Sequence, residues 1–118
     1  MPELTKKSLL QHADIPAICN VVAKAWPLLL DAQQQELCLE SVYEVIADAA
    51  ARQHNFSLLS DAARAQLELD TDMLLITIDW RDIGTLIFDN GENEAHFWSL
   101  IGAKDDKKNK KIFRSLFR

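Results

Sequence analysis

The feature that most constrains the fold is a long stretch of helical periodicity in the first half of the chain. Asp31, with Gln34 three residues later, resembles a capping box at a helix start. Beyond it, apolar residues recur at steps of three and four, as on one face of an α-helix. We therefore predict a helix over about residues 32 to 53. Its apolar positions are Cys38, Val42, Val45, Ile46 and Ala49.

A preceding helix is predicted from residue 15 onward. Asp14 followed by Pro16 is a typical helix start, because the carboxylate caps backbone N–H groups and proline needs no donor in the first turn. Trp26-Pro27 should break or redirect this helix, since proline disfavours helical geometry in the residue before it.

A third helix and two strands are predicted in the second half. Either Ser57 or Ser60 can cap a helix that runs to about Leu69. The run 73–80 is short, apolar and bounded by aspartates, which favours a largely buried strand. Residues 84–89 resemble a second strand.

The segment after these strands has two interpretations. Asn90-Gly91 favours a type I′ hairpin turn, because both central positions of that turn require positive φ. A third strand over 95–101 would follow. The competing interpretation is a short helix capped by Asn93 and stopped by Gly102.

These elements predict an α+β fold, in which N-terminal helices pack on one face of a small antiparallel β-meander. A chain of 118 residues is long enough for one hydrophobic core, and its 48% apolar content is that of a globular protein. We predict a single acidic α+β domain over residues 1–103 and a basic amphipathic tail over residues 104–118.

Charge is divided unevenly along the chain. The last fifteen residues contain seven Lys or Arg against two Asp, a formal charge of +5. Because the whole chain carries −5, residues 1–103 carry −10. Such a distribution concerns partners and association, not fold. It argues against binding to nucleic acid or to a membrane surface, since an acidic body opposes approach to either polyanion.

The tail ends in apolar residues, for which three interpretations are open. Phe113, Leu116 and Phe117 can fold back onto the body, because exposed aromatic side chains usually cover a surface. The lysines and arginines can instead attach to phosphates of a membrane or nucleic acid. The tail can also be a peptide that orders only in a complex.

Two acidic groups are candidate partner-binding surfaces. The first is a row at i, i+4 spacing on the outer face of the long helix, where like charges repel and do not stabilise the helix. The second lies around the predicted strand ends, where an exposed Trp80 would be a natural interface anchor. The first group is Glu36, Glu40, Glu44 and Asp48, and the second is Asp79, Asp82 and Asp89.

No catalytic motif accompanies these surfaces. The three glycines form no phosphate-binding loop, and the histidines show no metal-ligand spacing to Cys or Glu. Cys19 and Cys38 fall at apolar helix positions and are expected to be free thiols. Without a secretory signal or a membrane span, a cytoplasmic location is expected. We therefore predict no enzyme activity, no cofactor and no metal site.

The expected function is binding of a basic protein partner, most concretely as an inhibitor or immunity-type antidote of a nuclease or other toxin. An acidic surface gives fast, electrostatically steered association with a basic site and requires no chemistry of its own. One alternative is a small metal-dependent hydrolase that uses the strand-end carboxylates. Another is a chaperone or adaptor for a secreted or regulatory protein, which an apolar groove beside the acidic rim would favour. The oligomeric state is left open.

Overall fold

A computed structural model describes residues 4–102 and 106–117, and 83% of this range is helical, with no strand in it. The predicted α+β fold with a β-meander is therefore wrong. Short 3-10 helices at Trp26–Leu28 and Phe56–Leu58 flank the longest helix. The α-helices of the described range are α1 (Lys6–Gln11), α2 (Ile15–Ala25), α3 (Ala32–Gln53), α4 (Asp61–Leu75), α5 (Trp80–Phe88), α6 (Gly91–Ile101) and α7 (Asp106–Phe117).

The predicted helix starts in the first half are confirmed by their caps. Asp14 accepts from the Ala17 N–H at 3.2 Å and begins α2. Asp31 accepts from two backbone N–H groups and begins α3, which spans the 22 residues from Ala32 to Gln53. Trp26 ends α2 and opens a 3-10 turn, as its position before proline predicts.

The two predicted strands over 73–80 and 84–89 are instead the end of α4 and most of α5. The apolar run contains the last turn of α4, a short connection and the start of α5. Asp79, within this run, accepts from the backbone N–H groups of Arg81 and Asp82 and forms a capping box. A short apolar run does not by itself distinguish a strand from a buried helix segment, and here the caps determine the structure.

The predicted third strand over 95–101 is α6, so the hairpin interpretation of Asn90-Gly91 is wrong. The Asn90 side chain accepts from the backbone N–H groups of Glu92 and Asn93, which makes it a helix cap. The competing helix interpretation placed the cap three residues too late, at Asn93. It placed the stop correctly, because Gly102 ends α6 with φ of +74°.

The core lies around α2, which packs against α3 on one side and α6 on the other. Further along, α5 packs against α6 and α7, whereas α4 packs alongside α3. The molecule is elongated, with extents of 50 × 29 × 20 Å.

The C-terminal helix α7 contributes to the core. Ile112 and Leu116 are buried, and Phe113 and Phe117 are partly buried against the core, so the fold-back interpretation of the tail is confirmed. The indole N–H of Trp26 donates to the Asn109 carboxamide oxygen at 2.9 Å in the interior. The basic side chains of α7 face solvent. The predicted domain boundary between residues 103 and 104 lies outside the described residues, and so does Arg118 of the predicted basic tail.

An aromatic cluster joins α7 to the rest of the fold. Phe88 of α5 makes edge-to-face contacts with Phe97 of α6 and with Phe113 and Phe117 of α7, at centroid distances of 4.9 to 5.5 Å. Such pairs stabilise a fold by about 0.5–1.5 kcal/mol each beyond their buried area. The ring of Phe117 also lies directly over Gly84, so closely that a side chain there would meet it.

Candidate protein-binding surface

The predicted acidic row lies on the outer face of α3. Glu36, Glu40, Glu44 and Asp48 are all exposed. The opposite face of the same helix buries Cys38, Val42 and Ile46 in the core. The periodicity that places one set inside therefore places the carboxylates outside, one helical turn apart.

A second row of carboxylates on α4 lines the same surface. Glu68 and Asp72 are exposed, one turn apart. Two shallow depressions of about 170 and 400 Å³ run between α3 and α4 and adjoin at Ala47 and Asp72. Asp48 and Glu68 line the first depression, and Glu40, Glu44 and Ile76 line the second. We call this surface the α3–α4 groove.

The α3–α4 groove is bordered by an exposed apolar stripe. Leu69 and Met73 on α4, and Ile76 at its C-cap, follow each other at steps of four and three and are 54%, 62% and 77% exposed. Single exposed apolar residues are ordinary, but three on one helical face form a patch. Methionine adapts its shape to different partner surfaces. The groove therefore offers apolar contact area beside its negative charge.

The carboxylates of the groove form no ion pair with the residues that the structure describes. Among the described residues, ion pairs join Lys6 to Asp82 and Arg64 to Asp61, and neither involves Glu40, Glu44, Asp48, Glu68 or Asp72. Negative charge of this kind attracts cations over about 8 Å at physiological ionic strength. The α3–α4 groove is thus complementary to a positively charged surface.

Asp79 and Asp82, two members of the second predicted acidic group, form hydrogen bonds and an ion pair within the fold. The Asp79 side chain caps α5, and Asp82 accepts from the Asp79 N–H and pairs with Lys6 at 2.9 Å. Partial burial acts to raise the pKa of Asp82, but the Asp79 N–H and the Lys6 ammonium hold that pKa below its ordinary value. Both carboxylates therefore stabilise the junction of α1 with α5.

Tyr43 connects this junction to the groove. Its ring lines the depression that contains Glu40 and Glu44, and its hydroxyl donates to the Ile78 carbonyl. Burial raises the pKa of Tyr43, and the negative charges of Asp79 and Asp82 raise it further. The Ile78 carbonyl that Tyr43 binds directly precedes Asp79 in the chain, so this junction lies at one end of the groove.

The remaining two candidates lie elsewhere. Trp80 is half-buried and packs edge-to-face on Phe117 at a centroid distance of 5.9 Å. Asp89 is exposed at the end of α5. Neither Trp80 nor Asp89 lines the depressions between α3 and α4. The sequence analysis did not single out Glu68, and it did not place Asp72 on the same helix because it ended the third helix near Leu69.

Metal-ligating residues do not assemble in the described part of the chain. No three His, Cys, Asp or Glu side chains of residues 4–102 and 106–117 come close enough together to hold a metal ion. Cys19 and Cys38 are buried free thiols. Burial raises the pKa of Cys38 to about 11, which suppresses the reactive thiolate.

Comparison of the chain with protein-family models, curated proteins and solved structures found no match. Within the described residues, no helix combines the length and the apolar character needed to cross a membrane.

Proposed function

We propose that this protein binds a basic protein partner through the α3–α4 groove. The observation that supports the proposal is the pairing of two carboxylate rows, on α3 and α4, with the exposed apolar stripe beside them. Negative charge alone is common on protein surfaces. An apolar stripe next to uncompensated charge is the pattern of a protein interface, with an apolar centre and a polar rim.

The two components contribute differently to binding. An exposed ion pair stabilises a complex by about 0.2–1 kcal/mol, whereas full burial of one aliphatic side chain contributes roughly 1.5–3 kcal/mol. Leu69, Met73 and Ile76 would therefore supply most of the affinity. The carboxylates would mainly raise the association rate and select a positively charged partner.

Two kinds of partner-binding protein fit this surface. An inhibitor or immunity-type antidote covers the basic active site of a nuclease or other toxin with its carboxylates. A chaperone or adaptor holds a basic, partly apolar segment of a secreted or regulatory protein. The exposed stripe favours the second kind, because covering a basic active site requires charge more than apolar area.

The proposal is tested by affinity capture from the native host with tagged variants. Glu44→Gln with Asp48→Asn removes two charges from the groove, and Met73→Ser with Ile76→Ser removes part of the stripe. Asp89→Asn with Glu92→Gln is the matched control, because it removes two exposed charges from the α5–α6 corner. We expect the parent and the control to recover one basic protein in stoichiometric amount. Both groove variants should recover less of it.

Equal loss of the captured protein in the control would contradict the assignment of the groove, and recovery of no basic protein would contradict the proposal itself.

Purified partner then distinguishes the two kinds of function. An antidote abolishes an activity of a folded partner at equimolar ratio. A chaperone or adaptor leaves that activity unchanged and keeps the partner soluble.

A further inference from the structure

A second concave site lies between α6 and α7, apart from the α3–α4 groove. It has a volume of about 520 Å³, within the usual range for sites that bind small molecules. Glu94 and Trp98 line it from α6, and Asp106, Asn109, Lys110, Phe113 and Arg114 line it from α7. We call it the α6–α7 site.

The most informative residue of this site is Asn109, which is only 9% exposed. Its carboxamide oxygen is occupied by the Trp26 indole N–H, whereas its amide nitrogen has no acceptor among the described residues. No fully buried polar side-chain atom in the described range lacks a partner, so this nitrogen is not sealed inside the protein. Asn109 lines the site, so its amide group is available to a ligand bound there.

The apolar walls of the site are held in place by the core. Trp98 packs edge-to-face on Trp26 at a centroid distance of 5.8 Å, and Phe113 packs on Phe88 at 4.9 Å. Aromatic side chains fixed in this way lose little freedom when a ligand binds. They provide preformed surfaces on which a planar ring can stack.

The charges of the site are separated along α7. Lys110 and Arg114 are exposed one turn apart, and neither has an ion pair to a described residue. Asp106 lies one turn before Lys110 and two turns before Arg114, roughly 6 and 12 Å along the helix axis. The cationic end of the site therefore favours an anion, and the carboxylates favour donor groups of the same ligand.

We propose that the α6–α7 site binds a small molecule with a planar aromatic ring and an anionic group, either a carboxylate or a phosphate. The ring stacks against Trp98 and Phe113, and the anion lies at Lys110 and Arg114. A ring or linker acceptor receives a hydrogen bond from Asn109. This site is independent of the protein-binding surface.

The test is a titration of the full chain with small-molecule probes. Binding is measured by isothermal calorimetry and by the NMR signals of the three tryptophan indole N–H groups. The probes are indole-3-carboxylate and adenosine 5′-monophosphate, which separate a carboxylate ligand from a phosphate one. Neutral indole is the control that lacks the anion of the first probe, and inorganic phosphate is the control that lacks the ring of the second. We expect sub-millimolar binding of at least one probe, a shift of the Trp98 signal, and at least tenfold weaker binding of both controls.

Two double variants with the same change in charge locate the anion. Lys110→Gln with Arg114→Gln should weaken the better probe at least tenfold. Lys107→Gln with Lys111→Gln, on the outer face of α7, should leave its affinity within about twofold. Asn109→Asp retains the acceptor for Trp26 but replaces the free donor with a carboxylate, and it should also weaken binding.

Three results would overturn the proposal. One is the absence of binding by both probes, and another is equal binding of a probe and its ring-only or anion-only control. The third is an equal effect of the two charge-matched double variants. Since all four substituted cations are exposed, loss of the fold does not explain a difference between these variants.

Discussion

Replacing Gly84 by alanine tests the packing of α7 on α5. A Cβ at this position would lie 2.7 Å from Cδ1 of Phe117 and 3.2 Å from its Cγ. Carbon atoms in favourable contact are about 3.5–4.0 Å apart, so the ring would have to move by roughly 1 Å. Gly84 is buried in the middle of α5.

Two opposing effects determine the result. Replacing glycine by alanine inside a helix stabilises it by about 1 kcal/mol. Overpacking of a core costs about 1–3 kcal/mol. We therefore expect Gly84→Ala to lower the free energy of unfolding by about 1 kcal/mol in the parent chain. In a Phe117→Ala background the clash is absent, and the same change should raise the free energy of unfolding by about 1 kcal/mol.

The assay is urea denaturation followed by circular dichroism, applied to the four proteins of this double-mutant cycle. The expected coupling between the two positions is about 1–3 kcal/mol. Gly91→Ala is the control, because nothing lies within 4 Å of a Cβ at that position. Its effect should be the same in both backgrounds. A stabilising effect of Gly84→Ala in the parent chain, equal to that in the Phe117→Ala background, would refute the packing described.

Three further predictions concern single groups. Asn109→Leu leaves the buried Trp26 indole N–H without an acceptor and should lower the free energy of unfolding, measured by urea denaturation, by about 1–3 kcal/mol. A loss of stability no larger than that of Asn109→Asp, which keeps an acceptor, would contradict the hydrogen bond. The pKa of Asp82 in the folded protein is lower than its ordinary value of 3.8, so the folded state binds fewer protons than the unfolded state. The contribution of Asp82 to stability is therefore complete above pH 3.8 and is lost as pH falls through the folded-state pKa. Acid titrations of the parent and of Asp82→Asn should show a smaller loss of stability in the variant, and identical curves would argue against the Lys6 and Asp79 contacts. Cys19 and Cys38 should resist a thiol reagent at pH 8 in the folded protein and react in urea, whereas rapid reaction without denaturant would contradict their burial.

Local capping chemistry made the first half of the fold predictable. Asp14 and Asp31 carry their helix-start signals in their own side chains, and the periodicity of α3 separates its buried face from its acidic face. These signals depend on residues within one or two turns. The prediction therefore required no knowledge of what packs against the helix.

The second half failed where the same local pattern fits two structures. Leu74 and Leu75 continue α4, Ile78 is buried between helices and Asp79 caps α5, so one apolar run serves two helices. Asn90 favours a turn and a helix cap equally well by its chemistry. Contacts distant in sequence, such as Trp26 with Asn109, decide between these alternatives and are not visible in local patterns.

The candidate surface was predictable only in part for the same reason. The α3 row follows from periodicity. Its pairing with Glu68 and Asp72, and the exposure of Met73 and Ile76, depend on α4 being longer than predicted and on its packing alongside α3. Charged residues that cap helices, such as Asp79, cannot be distinguished by sequence from those that meet a partner.

The most direct test of the protein-binding surface is hydrogen–deuterium exchange of the protein with and without the captured partner. We predict slower amide exchange confined to residues 40–51 of α3 and to residues 65–76, which cover most of α4 and its C-cap. Protection of α6 and α7, with unchanged exchange in α3 and α4, would contradict the assignment of partner binding to the α3–α4 groove.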